Sequence, residues 1–271
     1  MTPAALFLLL AVALSLAMTL AWAIVLAGAK SGWVDAIWSF LVGMAGIAVA
    51  LVPIPGWEGD GQRRAAVAVA AGIWSCRLGL HIVLRTRGGG EDPRYARLRE
   101  EWGANWRSRL FLFLQIQAAA ALLLAGTIFL AARNPQAGLQ WSNLAGIALL
   151  LAAVLGEGIA DAQLARFRGD PSNKGKVCDI GLWSLSRHPN YFFQWLGWTG
   201  YAVMAIGPAG TWIWGWAALA GPVFMYWLLV HVSGIPPLEA HMMRSRGDAF
   251  ASYVQRVNAF WPGPQTKERR T

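Results

Sequence analysis

Long apolar stretches alternate with short polar ones along the whole chain, at about residues 4–28, 34–52, 65–84, 110–132, 143–165, 190–207 and 211–235. Each is long enough to cross a bilayer as a helix, the sixth being the shortest. Residues 3–29 carry no charge and outrun the short apolar core of a cleavable signal peptide, so they are read as the first span. Pro53, Pro55 and Gly56 break the chain after the second segment, Asn134-Pro135 after the fourth, and Gly207-Pro208 with Gly210 after the sixth. The pattern predicts an all-α membrane protein: seven transmembrane helices in one bundle, a single polytopic domain over residues 1–271.

Charge orients that bundle. Of 23 Lys and Arg residues, 19 fall in one alternate set of connections and the C-terminus: Lys30, the run from Arg85 to Arg109, the run from Arg166 to Arg187, and the stretch from Arg244 onward. Arg63, Arg64 and Arg133 fall on the other side, and Arg77 lies inside the third segment. Cations collect on the cytoplasmic face of membrane proteins, which predicts an external N-terminus and a cytoplasmic C-terminus, with a bacterial inner membrane as the expected location. The tail Lys267-Glu268-Arg269-Arg270 reads as a solvated end.

Composition agrees with this class: 56% of the 271 residues are hydrophobic, 14% are charged, and 16 are Trp. The net charge of +9 follows from topology and attraction to anionic lipid, which excludes nucleic acid as the expected partner. Cys76 and Cys178 lie far apart without metal-ligand spacing, so neither a disulfide framework nor a zinc site is expected. No obligate protein partner is evident.

Ionisable residues within spans are costly and mark sites by default. Asp35 and Trp38 share a face of the second segment. Trp74, Arg77 and His81 share one on the third, and Glu157, Asp161 and Arg168 form a stripe on the fifth that runs toward the basic loop. These stripes are expected to line one cytoplasm-facing cavity; for each, the plain alternative is a satisfied interhelical pair such as Asp35 with Arg77. The run Gly181-Leu182-Trp183-Ser184-Leu185-Ser186-Arg187-His188-Pro189-Asn190-Tyr191 sets a cation, an imidazole and two further polar side chains at the mouth of the sixth segment. Pro189 there suits the first turn of a helix. Between Arg85 and Arg109 the chain reads as a loop in which Gly88-Gly89-Gly90 and its arginines offer backbone N–H groups and charge to a phosphate. No Rossmann or P-loop sequence is present. Met242, Met243, Phe250, Tyr253 and Phe260-Trp261-Pro262 read as an amphipathic C-terminal segment on the membrane face.

Gly181-Leu182-Trp183 leading to Arg187-His188-Pro189-Asn190-Tyr191, the Glu91-Asp92-Pro93-Arg94-Tyr95 loop, and Ser233 to Glu239 through Tyr253 to Phe260-Trp261-Pro262 resemble the membrane steroid 5α-reductases and their bacterial relatives. The resemblance implies NADPH as cofactor and a 3-oxo-Δ4 steroid or similar enone lipid as substrate, with residues 1–109 on the substrate side and 110–271 forming the cofactor-binding region. By that resemblance Asp161, Arg168, Lys176 and Asn190 take cofactor positions. Asp35 and Trp74 stand where the reductases hold the substrate ketone with a glutamate and a tyrosine. Gln194 stands where they have a glutamate, and Arg77 and His81 where they have an arginine and a tyrosine.

The implied cofactor set is Arg87, Arg94, Tyr95, Glu157, Asp161, Arg168, Lys174, Lys176, Arg187, His188, Asn190, Tyr191 and Gln194. Asp35, Trp38 and Trp74 would meet the substrate, and Asp35, Trp74, Arg77 and His81 would carry the reaction. Reducing an enone requires a donor to the carbonyl oxygen as hydride reaches the β-carbon. Asp35 would serve if an apolar cavity keeps it protonated, unless Arg77 keeps it ionised; Trp74 and His81 are the other donors. An isoprenylcysteine carboxyl methyltransferase-like enzyme, with S-adenosylmethionine and a similar Arg-His-Pro-x-Tyr sequence, and a non-catalytic sterol- or lipid-binding protein of reductase fold are the competing readings.

Overall fold

The computed structural model describes residues 1–265, and no strand occurs among them. The tail at 267–270, expected to be solvated, lies outside the described residues. Ten α-helices follow in order: α1 Pro3–Leu26, α2 Gly32–Leu51, α3 Gly61–Gly88, α4 Pro93–Trp102, α5 Trp106–Arg133, α6 Trp141–Gly169, α7 Pro189–Ile206, α8 Ala220–Trp227, α9 Ile235–Arg246 and α10 Asp248–Arg256.

Their boundaries follow from local chemistry. The Thr2 hydroxyl accepts from the Ala5 N–H at 3.2 Å, Asp60 from Arg63 at 3.0 Å and Asp92 from Arg94 at 2.9 Å, each satisfying a donor that the first helical turn leaves open. Pro3 and Pro93 follow two of these caps directly. The Asp92-Pro93 pair therefore starts a helix inside the stretch expected to be a loop.

Six helical stretches are long and apolar enough to cross a membrane: Pro3–Leu26, Gly32–Leu51, Gly61–Gly88, Pro93–Arg133, Trp141–Gly169 and Ile213–Arg246. These six differ from the expected seven at residues 190–207. That segment does fold as α7, but Asn190, Tyr191, Gln194 and Tyr201 interrupt its apolar run, and its 18 residues are not among the six. The expected span at 211–235 is not one regular helix either. It opens as a 3₁₀ turn at Ile213–Leu219, continues as α8 and ends in a π turn at Leu228–Val232.

The chain separates into two compact units. The first comprises Met1–Ile147 and Tyr201–Gly221. In it α2 packs along α3, and α1 and α2 both pack on α5. Close approach is set by small residues: a Cβ at Gly43 would fall 2.1 Å from the Ser75 Cβ, and one at Gly79 would fall 2.5 Å from the Phe40 ring. Ser75 also donates to the Ser39 carbonyl at 3.0 Å, which joins α3 to α2 through a hydrogen bond in the buried seam.

The second unit comprises Ala148–Gly200 and the chain from Pro222 onward. The Trp183 indole donates to the Ala160 carbonyl of α6 at 2.9 Å, and Gln163 accepts from the Leu182 N–H at 2.9 Å, which seats the turn at 181–184 on α6. Phe250, Tyr253 and Val257 of the C-terminal segment are buried with Val177 and Met242 packed against them, as expected of its apolar face, whereas Met243 is exposed.

Candidate functional site

In the first unit the polar groups gather where α2 begins. Asp35 stands in the first turn of α2, and Arg94 and Tyr95 stand at the start of α4. The Arg94 guanidinium donates to one oxygen of Asp35, and the Tyr95 hydroxyl donates to the other at 2.9 Å. Arg94 donates also to Asp92 at 2.9 Å, and Arg85 reaches the same carboxylate at 3.3 Å. Partial burial disfavours the charge on Asp92, but hydrogen bonds and charge from Arg94 outweigh that cost and hold its carboxyl below the ordinary value.

The neighbouring loop is fastened as well. Lys30 donates to the carbonyls of Thr86 at 3.1 Å and Gly89 at 2.6 Å, and the Ser31 hydroxyl donates to Glu91. The glycine run expected to cradle a phosphate thus has one of its carbonyls tied to Lys30. Arg87 is exposed, with its guanidinium 5.9 Å from the Trp33 ring centre. Trp38 donates to the Gln117 carbonyl at 2.8 Å, Trp74 is buried, and Arg77 and His81 are half-buried farther along α3.

In the second unit the Arg187 to Tyr191 run closes on α9 and the C-terminal segment. Arg187 grips Glu239 through Nε at 2.7 Å and Nη2 at 3.2 Å, while Nη1 donates to the carbonyls of Val254 and Val257. Its backbone N–H donates to the Asn258 carbonyl at 2.8 Å. His188 meets the same Glu239 through Nε2 at 2.9 Å and stacks on Tyr191 with ring centres 5.4 Å apart. The Glu239 contact assigns the proton to Nε2, so Nδ1 carries the lone pair. That Nδ1 is buried without a hydrogen-bond partner among the described residues. Burial depresses the His188 imidazole below its ordinary value, against the opposing pull of Glu239. The Tyr253 hydroxyl donates to the Trp183 carbonyl, and burial pushes it upward.

The same unit brings Asn190 to Asp161, Nδ2 to Oδ1 at 3.5 Å. Glu157 and Gln194 are buried, whereas Arg168, Lys174 and Lys176 are exposed around the turn that follows α6. Of the expected site residues, Asp35 thus meets Arg94 and Tyr95 in the first unit, and Asp161 meets Asn190 and His188 meets Tyr191 in the second. Glu239 is the residue that pattern reading left out. It closes the Ser233 to Glu239 stretch that carries the resemblance, but no role followed from the pattern because its partners lie about fifty positions away.

Helices of this length and apolarity make the chain an integral multi-pass membrane protein, with a carboxylate–guanidinium–phenol cluster in one unit and an Arg–His–Glu cluster in the other. Residues 21–257 match the family described as a protein of unknown function, DUF1295, and the chain belongs to that family. No curated protein and no solved structure matches it.

Proposed function

We propose that the protein is an NADPH-dependent reductase of the Δ4 double bond of a 3-oxo steroid or similar enone lipid. The observation that carries this reading is the meeting of Asn190 with Asp161 on α6, the helix whose last turn holds exposed Arg168 and which exposed Lys174 and Lys176 follow in the chain. Hydrogen-bonding groups for a ribose or amide and cations for phosphates are what a dinucleotide requires. The buried, unpartnered Nδ1 of His188 is an acceptor suited to a hydroxyl or amide N–H. These residues fit the cofactor, whose contribution is hydride delivery to the β-carbon. The likeness of Gly181 to Tyr191 to the steroid 5α-reductases supports the same reading.

The chain's own contribution is to bind the ketone and stabilise charge growing on its oxygen. Asp35 accepts from Arg94 and Tyr95, so in this proposal it orients Arg94 instead of donating itself. The Arg94 guanidinium takes the donor role, the one Tyr95 O–H hydrogen being given to Asp35 to fix that carboxylate, and Trp38 and Trp74 flank the ring system. Residues 190–207 form a seventh crossing, the N-terminus lies outside, and the cofactor cluster faces the cytoplasm of a bacterial inner membrane.

Mass spectrometry of the small molecule released from purified protein tests the reading, followed by assay of progesterone or 4-androstenedione with NADPH. Bound NADP(H) and a saturated ketone product are expected. S-Adenosylmethionine would instead assign a methyltransferase, and lipid alone with no turnover a binding protein.

A further inference from the structure

Independently of that reading, the first unit contains a cavity of about 590 Å³ beyond the end of α2 opposite to Asp35, lined among others by Trp57, Glu58, Asp60, Arg133, Trp212 and Trp214. Its walls are held from behind. Arg133, only 2% exposed, commits all five of its N–H groups to backbone carbonyls, those of Val49, Val52, Trp57 and Glu58. Arg63, 1% exposed, ties the facing loop through Asn134, Gln136, Gly138 and Asn143. Arg133, the one cation in the lining, thus has no N–H left to offer an anion in the cavity.

The carboxylates are different. Glu58 accepts from the Gly56 N–H at 2.8 Å, and Asp60 accepts one backbone N–H on each oxygen, from Arg63 and Gly138 at 3.0 Å. A carboxylate has about four lone-pair directions, so both keep acceptor capacity. Those backbone donors also hold the two carboxyls below their ordinary values, leaving two negative groups against one guanidinium in the lining. The tryptophans add steeply inclined faces: Trp57 meets Trp212 with ring centres 6.0 Å apart at 66°, and Trp214 at 6.4 Å and 57°. Aromatic faces attract a cation through the ring quadrupole and shelter its methyl or methylene groups. An anion would find no side-chain cation with a hydrogen to give and two charges that repel it.

We propose that this cavity binds an organic ammonium ion of the choline or ethanolamine type, carried by a lipid headgroup or free in solution. The test uses full-length protein in detergent and in nanodiscs. Choline chloride and ethanolamine hydrochloride are titrated by calorimetry against sodium chloride, and retention of phosphatidylethanolamine over phosphatidylglycerol is read by native mass spectrometry. Saturable binding of a free amine assigns the soluble source; selective lipid retention without it assigns the headgroup. In either case Glu58→Gln, which removes only an exposed charge, and Trp212→Leu should each weaken binding by about ten-fold or more, while Trp141→Leu, outside the cavity, leaves it unchanged. If neither amine nor lipid binds selectively, or if binding survives intact in Glu58→Gln and Trp212→Leu at unchanged melting temperature, the tryptophans are an interfacial belt and the proposal is overturned.

Discussion

Arg94 at the start of α4 and Asp35 at the start of α2 lie 59 positions apart in sequence, and the guanidinium of one donates directly to the carboxylate of the other. Tyr95, the next residue, donates to the second oxygen at 2.9 Å. A carboxylate caught between two donors is an acceptor, and this shifts the donor role proposed for the reaction from Asp35 to Arg94, with Tyr95 holding the carboxylate in place. Asp35→Ala is expected to lower enone turnover on the order of a hundred-fold with NADPH affinity nearly unchanged, because the Arg94 donor loses its anchor. Tyr95→Phe should lower turnover while sparing the Arg94 pair. Full turnover by both variants would remove this cluster from the reaction.

Arg168 is exposed beyond the last turns of the Glu157, Asp161 stripe. Arg168→Ala should weaken NADPH binding by about 1.5–3 kcal/mol, roughly ten- to a hundred-fold, the worth of a charge-assisted contact. Arg63, an opposite-face cation by the sequence pattern, serves four acceptors while almost wholly buried. Arg63→Ala should cost about 3 kcal/mol or more of stability, since each stranded buried partner costs about 1–3 kcal/mol. Calorimetric melting beside NADPH titration separates the two effects: one variant should lose affinity and the other stability.

The imidazole of His188 is depressed by burial, so an unfolded chain takes up its proton at higher pH than the folded one. Stability should therefore be highest above the unfolded value, near pH 6.5, and fall as pH drops from there toward the folded value, levelling off below it. Melting temperatures measured from pH 8 to pH 5 should show this decline in the native chain and a flatter profile in His188→Gln. An identical slope in both would place the sensitivity elsewhere.

A reporter fused after Thr271 should be active in the cytoplasm and one placed before Met1 outside, if α7 is a crossing and the cation asymmetry sets orientation. Both ends on one side would mean an even number of crossings. That result would fit the six apolar stretches alone and would leave α7 as a polar-lined helix that does not span.

The membrane class, the places of six of the seven expected spans and the apolar face of the C-terminal segment were legible in the sequence, because each depends on a run of neighbouring residues meeting lipid or a core. Helix faces were legible too, since α3 runs unbroken from Gly61 to Gly88 and keeps Trp74, Arg77 and His81 at helical spacing. The start of α4 is also written locally, in the Asp92-Pro93 cap, within a stretch whose glycines and arginines equally fit a phosphate-binding loop. What only the tertiary structure decided were the partners of the charges. Asp35 with Arg94, Arg187 and His188 with Glu239, and Arg63 and Arg133 with loop carbonyls are all pairings across fifty or more positions. A chain pattern records which side chains need a partner. Packing alone brings a particular donor within 3 Å of a particular acceptor, and the strength of hydrogen bonding in a low-dielectric interior then holds that pairing in place.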